Sequence, residues 1–246
     1  MRPVASTNSS KGVAAIVGVG PKLGRSVARK FAQEGYTVAI LSRDLEKLSA
    51  VAEEIAWEAK AQVFAIRIDC SESQSVREAF EGVLSLGFVE VLVYNAGLCT
   101  PPHPTPFMDT RVESFHESLT VSSVGSFHCA QQVIPGMVQR GKGTIIFTGS
   151  STSVTGFAGY YELCCGKFAL RGLSQCLARE FQQAGIHVAH IIIDGAIGAP
   201  GSSRGESSGQ HAITSMDPDI LAQTYWYIHT QDKGAWTQEI DLRSRR

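Results

Sequence analysis

Val13-Ala14-Ala15-Ile16-Val17-Gly18-Val19-Gly20-Pro21-Lys22-Leu23-Gly24, running on into Arg25-Ser26-Val27-Ala28-Arg29-Lys30-Phe31, is the stretch whose reading decides the fold. Five apolar residues closed by a glycine read as a buried parallel strand, because a strand covered on both faces needs no polar alternation. Leu23, Val27, Ala28 and Phe31 then recur at helical spacing. Gly18, Gly20 and Gly24 fall around the junction. Such a turn is either an ordinary strand-to-helix connection or a phosphate cradle, whose missing side chains let a pyrophosphate approach the helix N-terminus.

The residues after Gly35 favour the cradle. Tyr36-Thr37-Val38-Ala39-Ile40-Leu41 reads as a second apolar strand. It completes a βαβ unit of about 30 residues, the size the dinucleotide fingerprint requires. This strand ends in Ser42-Arg43. An NAD site would place a carboxylate here to accept hydrogen bonds from the ribose 2′-hydroxyl. The first carboxylate is instead Asp44, and Arg43 offers a planar cation suited to a 2′-phosphate, so NADP(H) is favoured over NAD(H). Lys22 adds a second positive charge within the turn.

The rest of the chain repeats the alternation. A helix capped by Ser42 or Asp44 and running to Ala59 is followed by a strand, Gln62 to Ile68, that ends at Asp69-Cys70. A helix over Ser73 to Leu86 leads to a strand over Val89 to Tyr94, which stops at Asn95-Ala96-Gly97. After a proline-rich loop, Thr100 to Pro106, one long helix is expected over Val112 to Arg140, kinked at Pro135. Gly143 to Thr148 forms strand five and ends in Gly149-Ser150-Ser151. A helix from Glu162 to Ala184 carries Lys167, and Ile186 to Ile193 makes strand six. Ala199 to Asp217 reads as a flap, Pro218 to His229 as the last helix and Thr237 to Leu242 as an edge strand. The pattern predicts an α/β fold: a doubly wound parallel sheet of about seven strands with helices on both faces. Ligands on such sheets bind at the strand C-termini, where Gly18 to Gly24, Arg43, Asp69 and Asn95 to Gly97 all fall.

Composition bounds the function. With 246 residues, 43% of them hydrophobic, the chain has enough material for one large core, expected over residues 12–246 behind a polar tail at 1–11. The 22 basic and 23 acidic residues leave no electrostatic footprint for nucleic acid or membrane, which points to a small-molecule substrate. Six cysteines without a C-x-x-C pair fit reduced thiols in a cytoplasmic setting, and no window is apolar enough to span a membrane. The seven histidines show no metal-ligand spacing, so no metal is expected. His187 and His190, flanking strand six, read as structural.

These motifs together resemble the short-chain dehydrogenase/reductase family, whose fold is of Rossmann type, and the resemblance covers nearly the whole chain. That family has a glycine-rich turn after strand one, N-A-G after strand four, a catalytic Ser after strand five and Tyr-x-x-x-Lys on the next helix. Gly18 and Gly24 match the outer glycines, with Lys22 at the middle one, and Asn95-Ala96-Gly97 matches outright. Ser150 and Lys167 stand 17 positions apart, the family's separation. The resemblance assigns Ser150 and Lys167 to catalysis. It assigns Gly18, Gly20, Lys22, Leu23, Gly24, Ser42, Arg43, Asp69, Cys70, Asn95, Ala96, Gly97, Lys167, Gly195 and Ile197 to the cofactor. It also implies a homodimer or homotetramer paired through the two long helices, where Phe168, Leu173, Leu177 and Phe181 supply surplus apolar surface.

Four positions depart from the family. Leu163 occupies the catalytic tyrosine position, Ser122 replaces an Asn that supports a proton-relay water, Asp194-Gly195 replaces Pro-Gly, and Ala199 stands for a Thr that contacts the carboxamide. Tyr160 and Tyr161 lie just upstream as candidate substitutes. Tyr160, seven positions before Lys167, shares its face only if the helix begins early, which Gly159 opposes. Cys164-Cys165 read as buried filler or as a thiol facing the cofactor. Two readings remain: an NADP(H)-dependent oxidoreductase acting on a carbonyl or alcohol with an atypical acid, or a catalytically silent dinucleotide-binding or interaction protein.

Overall fold

The computed structural model describes residues 11–98, 103–201 and 215–244. Seven strands form one sheet in the order β3-β2-β1-β4-β5-β6-β7, every neighbouring pair parallel. They are β1 (Val13–Val17), β2 (Thr37–Ser42), β3 (Val63–Arg67), β4 (Val89–Tyr94), β5 (Gly143–Ser150), β6 (Ile186–Asp194) and β7 (Glu239–Arg243). The order reverses between β1 and β4, which opens a crevice at their C-terminal ends.

All of β1 is buried because its two faces feed two cores. Val13, Ala15 and Val17 join a layer with α3 (Ser73–Ser85), α5 (Gly125–Arg140) and α6 (Tyr161–Phe181). Ala14 and Ile16 join the opposite layer with α1 (Leu23–Gln33), α2 (Leu45–Ala59) and α7 (Pro218–His229). Fully covering a valine or isoleucine side chain contributes about 1.5 to 3 kcal/mol, and β1, buried throughout, carries no polar residue. Asp44, not Ser42, caps α2: its carboxylate accepts the Lys47 N–H at 3.2 Å.

The expected helix from Val112 to Arg140 is divided. The α-helical pattern breaks at a π-helical turn, Thr120–Val124, between α4 (Val112–Leu119) and α5, while Pro135 lies inside α5. Directly after this turn the backbone makes a close approach: a Cβ at Gly125 would come 2.6 Å from the Cys70 carbonyl oxygen and 2.8 Å from the Tyr94 hydroxyl. The widened turn also supplies the Val121 carbonyl that accepts the Tyr94 hydroxyl. The expected surface of α6 is corrected as well. Leu177 is buried, and Leu173 and Phe181 pack against the core, since a 21-residue helix lying across the sheet turns all three inward. Phe168 is exposed, as are Val124 and Phe127 of the preceding helical segment. Of the expected flap, residues 202–214 lie outside the described residues, as do Cys99 and residues 1–10 of the tail.

Candidate functional site

The glycine-rich turn is built around one conformation and one contact. Gly18 has φ +86°, and a Cβ there would sit 2.4 Å from the Ala96 nitrogen, so only glycine fits. Asn95 braces the other side: its side-chain amide donates to the Gly18 carbonyl at 2.8 Å and its backbone N–H to the Val17 carbonyl at 2.8 Å. The turn and Asn95-Ala96-Gly97 are therefore one packed unit. Gly24 is equally confined, since a Cβ on it would lie 2.8 Å from the Val19 Cα. No side chain caps α1 at Lys22, and its first turn holds no acidic residue. That leaves a helix N-terminus with its positive end open to an anion.

Beside the turn lies a hollow of about 210 Å³ whose lining includes Gly18, Gly20, Ser42, Arg43, Asp69, Cys70, Asn95, Ala96 and Gly97. Asp69 is fixed as an acceptor: one of its carboxylate oxygens takes the Ser71 N–H at 2.9 Å and the Ser71 hydroxyl at 2.6 Å. Those bonds hold its pKa below the usual carboxylate range, aided by the Arg43 and Arg67 charges. Arg43 itself is exposed on the hollow's rim. These residues fit the adenosine end of a dinucleotide: a carboxylate for the adenine amine, a cation at the ribose and an open helix N-terminus for the pyrophosphate.

At the other end of the crevice stand Ser150, closing β5, and Lys167 on α6. The Ser150 hydroxyl shares a hydrogen bond of 2.5 Å with Thr152, and the Ser150 N–H donates to the Ser153 hydroxyl at 3.2 Å, which pins the strand end. Lys167 is buried and donates to the Thr148 carbonyl at 2.8 Å. Burial pushes its pKa down to about 8. A Cβ on Gly97 would sit 3.4 Å from its ammonium, which places Lys167 beside the N-A-G segment. Leu163 is buried one turn before it on the same helix. Ser122, in the π-helical turn, is buried with its hydroxyl unpartnered among the described residues.

Neither upstream tyrosine takes the slot through the helix register. α6 begins at Tyr161, with Tyr160 outside it as the N-cap. Tyr161 packs edge-on against Phe107 at 5.3 Å and lines an apolar hollow of about 420 Å³ with Phe157, Cys164, Cys165 and Phe168. Of the pair read as buried filler or a thiol facing the cofactor, Cys164 is buried, its thiol accepting the Phe157 N–H at 3.4 Å and donating to the Thr155 carbonyl at 3.8 Å, whereas Cys165 is exposed and so is not filler. His187 stacks on Trp236 at 4.8 Å, and His190 faces Glu239 at 3.1 Å. Burial pushes the His190 pKa down to about 4.

Three features were not visible in the sequence. The Thr148 carbonyl is the acceptor for Lys167. Gly149 is required because His190 fills the space a Cβ would need, 2.1 Å from its Nε2. Lys22 reaches across the crevice and donates to the Ile197 carbonyl at 2.5 Å. The last was signalled only by a long cation standing where a glycine belongs.

The reversed strand order, the glycine cradle and the Ser150 and Lys167 pair define a dinucleotide-binding α/β scaffold of dehydrogenase type. The short-chain dehydrogenase family model matches residues 12–200, and the chain belongs to that family of oxidoreductases. It is 33% identical over 178 residues to the 3-oxoacyl-[acyl-carrier-protein] reductase FabG of Staphylococcus epidermidis, covering 71% of each chain. It is 29% identical over 223 residues to the uncharacterized oxidoreductase YuxG of Bacillus subtilis, a match that covers 88% of this chain and 32% of that longer relative. Among solved structures, a short-chain dehydrogenase from Rhodopseudomonas palustris superposes with a TM-score of 0.82 at 29% identity, covering 95% of this chain and 99% of that one. A metagenomic short-chain oxidoreductase in complex with NADP gives 0.81 at 25% identity over 96% and 97% of the two chains.

Proposed function

We propose that this chain is an NADP(H)-binding member of the family whose substrate end has lost its proton donor. The observation that carries the cofactor choice is Arg43 on the rim of the adenosine hollow, next to Asp69, with Asp44 engaged as the cap of α2. A carboxylate at that rim repels a 2′-phosphate, whereas a guanidinium binds it through paired N–H donors. In this reading Asp69 takes the adenine edge, the start of α1 takes the pyrophosphate, and Lys167 holds ribose hydroxyls. An ammonium has three donors, and Thr148 uses one. The nicotinamide supplies the hydride when bound. Ser150 polarises the oxygen of a carbonyl substrate, and no phenol stands at Leu163 to protonate it.

That same leucine favours a second reading, a dinucleotide-binding or interaction protein without turnover. In both readings the assembly is a homodimer or homotetramer, supported by Val124, Phe127 and Phe168 standing exposed on the helices outside the core. Isothermal titration of NADPH and NADH tests the cofactor choice. NADPH is expected to bind more tightly, and Arg43→Ala to weaken NADPH alone by about 1.5 to 3 kcal/mol. Equal affinities in the native protein, or an unchanged Arg43→Ala, would show that Arg43 does not read the 2′-phosphate.

A further inference from the structure

Two cysteines meet at the wall of the adenosine hollow. Cys70 follows Asp69 just beyond β3 and lines the hollow, while Cys129 is fully buried on α5. Gly125 is the point of contact between the two segments. A Cβ there would stand 2.9 Å from the Cys70 Cβ, and Cys129 lies one turn further along the same face of the helix. Both are free thiols in one core cluster, and they hydrogen-bond to each other.

The two thiols are not equivalent. Hydrogen bonding by Cys129 holds the Cys70 thiol below its ordinary pKa against the opposing effect of burial, and Tyr94 and the Arg43 charge add to it. Burial pushes Cys129 well above its ordinary value. Cys70 is also the one that borders an open hollow, whereas Cys129 is reached only past it. A thiol with thiolate character beside an opening is the one an oxidant meets first, and a buried neighbour is placed to resolve the product.

From this placement we infer that Cys70 and Cys129 form a reversible disulfide at the wall of the hollow, with a peroxide as the oxidant, and that a dinucleotide in the hollow shields Cys70 from it. The pair stands on its own geometry; the shielding rests on the hollow being a dinucleotide site. In the first step the Cys70 sulfur attacks the peroxide, becomes a sulfenic acid, and the other oxygen leaves as water. The Cys129 sulfur then displaces the hydroxyl from Cys70, forming the S–S bond while its own proton leaves with that hydroxyl as a second water. Two thiols lose two electrons and two protons, and the peroxide is reduced to two waters. A dithiol reductant reverses the bond by exchange.

The test treats the full chain with hydrogen peroxide, with and without NADP+, blocks the remaining thiols with N-ethylmaleimide and maps the products by peptide mass spectrometry. A Cys70–Cys129 cross-linked peptide is expected, lost on treatment with dithiothreitol and absent from Cys70→Ala and Cys129→Ala. In Cys129→Ala the Cys70 sulfenic acid is expected to persist and to be trapped by dimedone. If either variant fails to fold, the cross-link in the native chain and its reversal decide. With NADP+ at about 100 times its Kd, cross-linking is expected to slow by about 100-fold, because only the nucleotide-free form reacts. Oxidation that spares Cys70, or that stops at Cys70 without reaching Cys129, overturns the pair. Cross-linking as fast with NADP+ bound as without it overturns the shielding. If calorimetry shows that the native chain does not bind NADP+, the dinucleotide reading and the shielding fail together, and the cross-link judges the pair alone.

Discussion

Leu163→Tyr returns a phenol to the position one helical turn before Lys167. Leu163 is buried, and Lys167 is anchored by the Thr148 carbonyl at 2.8 Å, so a phenol there meets a cation that does not wander. A positioned general acid accelerates carbonyl reduction by about 10² to 10⁴-fold, equivalent to about 3 to 5 kcal/mol of barrier. Placing the larger ring in a filled slot costs about 1 to 3 kcal/mol of stability, to be checked by denaturant unfolding before kinetics. The gain also depends on pH. Lys167 is charged below about 8, so its pull on the phenol is present at neutral pH and fades as the pH rises through that value. The assay is NADPH oxidation against a panel of ketones, quinones and aldehydes for native protein and variant. Activity that appears only in Leu163→Tyr supports a site that lost its acid. The reasoning is refuted if the native chain already turns over rapidly and Tyr160→Phe or Tyr161→Phe abolishes it.

Acid is expected to destabilise the fold through its buried histidines. Burial holds His190 at about 4, so its contribution is complete above the unfolded value near 6.5 and is lost as pH falls toward 4, about 3 kcal/mol in all. Urea unfolding between pH 7 and pH 4 measures this, and a slope unchanged by His190→Asn contradicts it. Gly149→Ala should cost about 1 to 3 kcal/mol, because its Cβ would lie 2.1 Å from His190 Nε2. Adding His190→Ala should recover part of that loss, and full additivity of the two changes would show that they do not collide. Light scattering at micromolar concentration should find a dimer or tetramer of the 26.5 kDa chain, shifted toward monomer by Phe127→Ser with Phe168→Ser. A native monomer rules out the proposed interface.

Local patterns carried most of the architecture. Strand and helix periodicities placed all seven strands within a few residues, because β1 to β6 are built on apolar runs closed by turn signals and β7 alternates polar and apolar residues. Residue type and position at strand ends single out Gly18, Asn95 and Asp69, and the structure packs Gly18 against Asn95 and Ala96 although 77 positions separate Gly18 from Asn95. What escaped depends on contacts distant in sequence. The π-helical turn at Thr120–Val124 precedes the close packing of Gly125 on Cys70 and Tyr94, and nothing in the local run announces those neighbours. Pro135, the stronger local signal, lies within α5. Leu173, Leu177 and Phe181 read as surplus surface by spacing alone, whereas the lie of α6 on the sheet turns them inward. The reach of Lys22 to Ile197 joins residues 175 positions apart and depends on the finished sheet.

The most direct test of a crevice that binds NADP(H) without its acid is a crystal structure of the NADPH complex, read at the nicotinamide C4. The account predicts the 2′-phosphate on Arg43, the adenine edge at Asp69, and Leu163 facing C4, with the Ser150 hydroxyl beside the substrate oxygen position. A Tyr160 or Tyr161 hydroxyl at hydrogen-bond distance from that position, or a 2′-phosphate turned away from Arg43 into solvent, contradicts it.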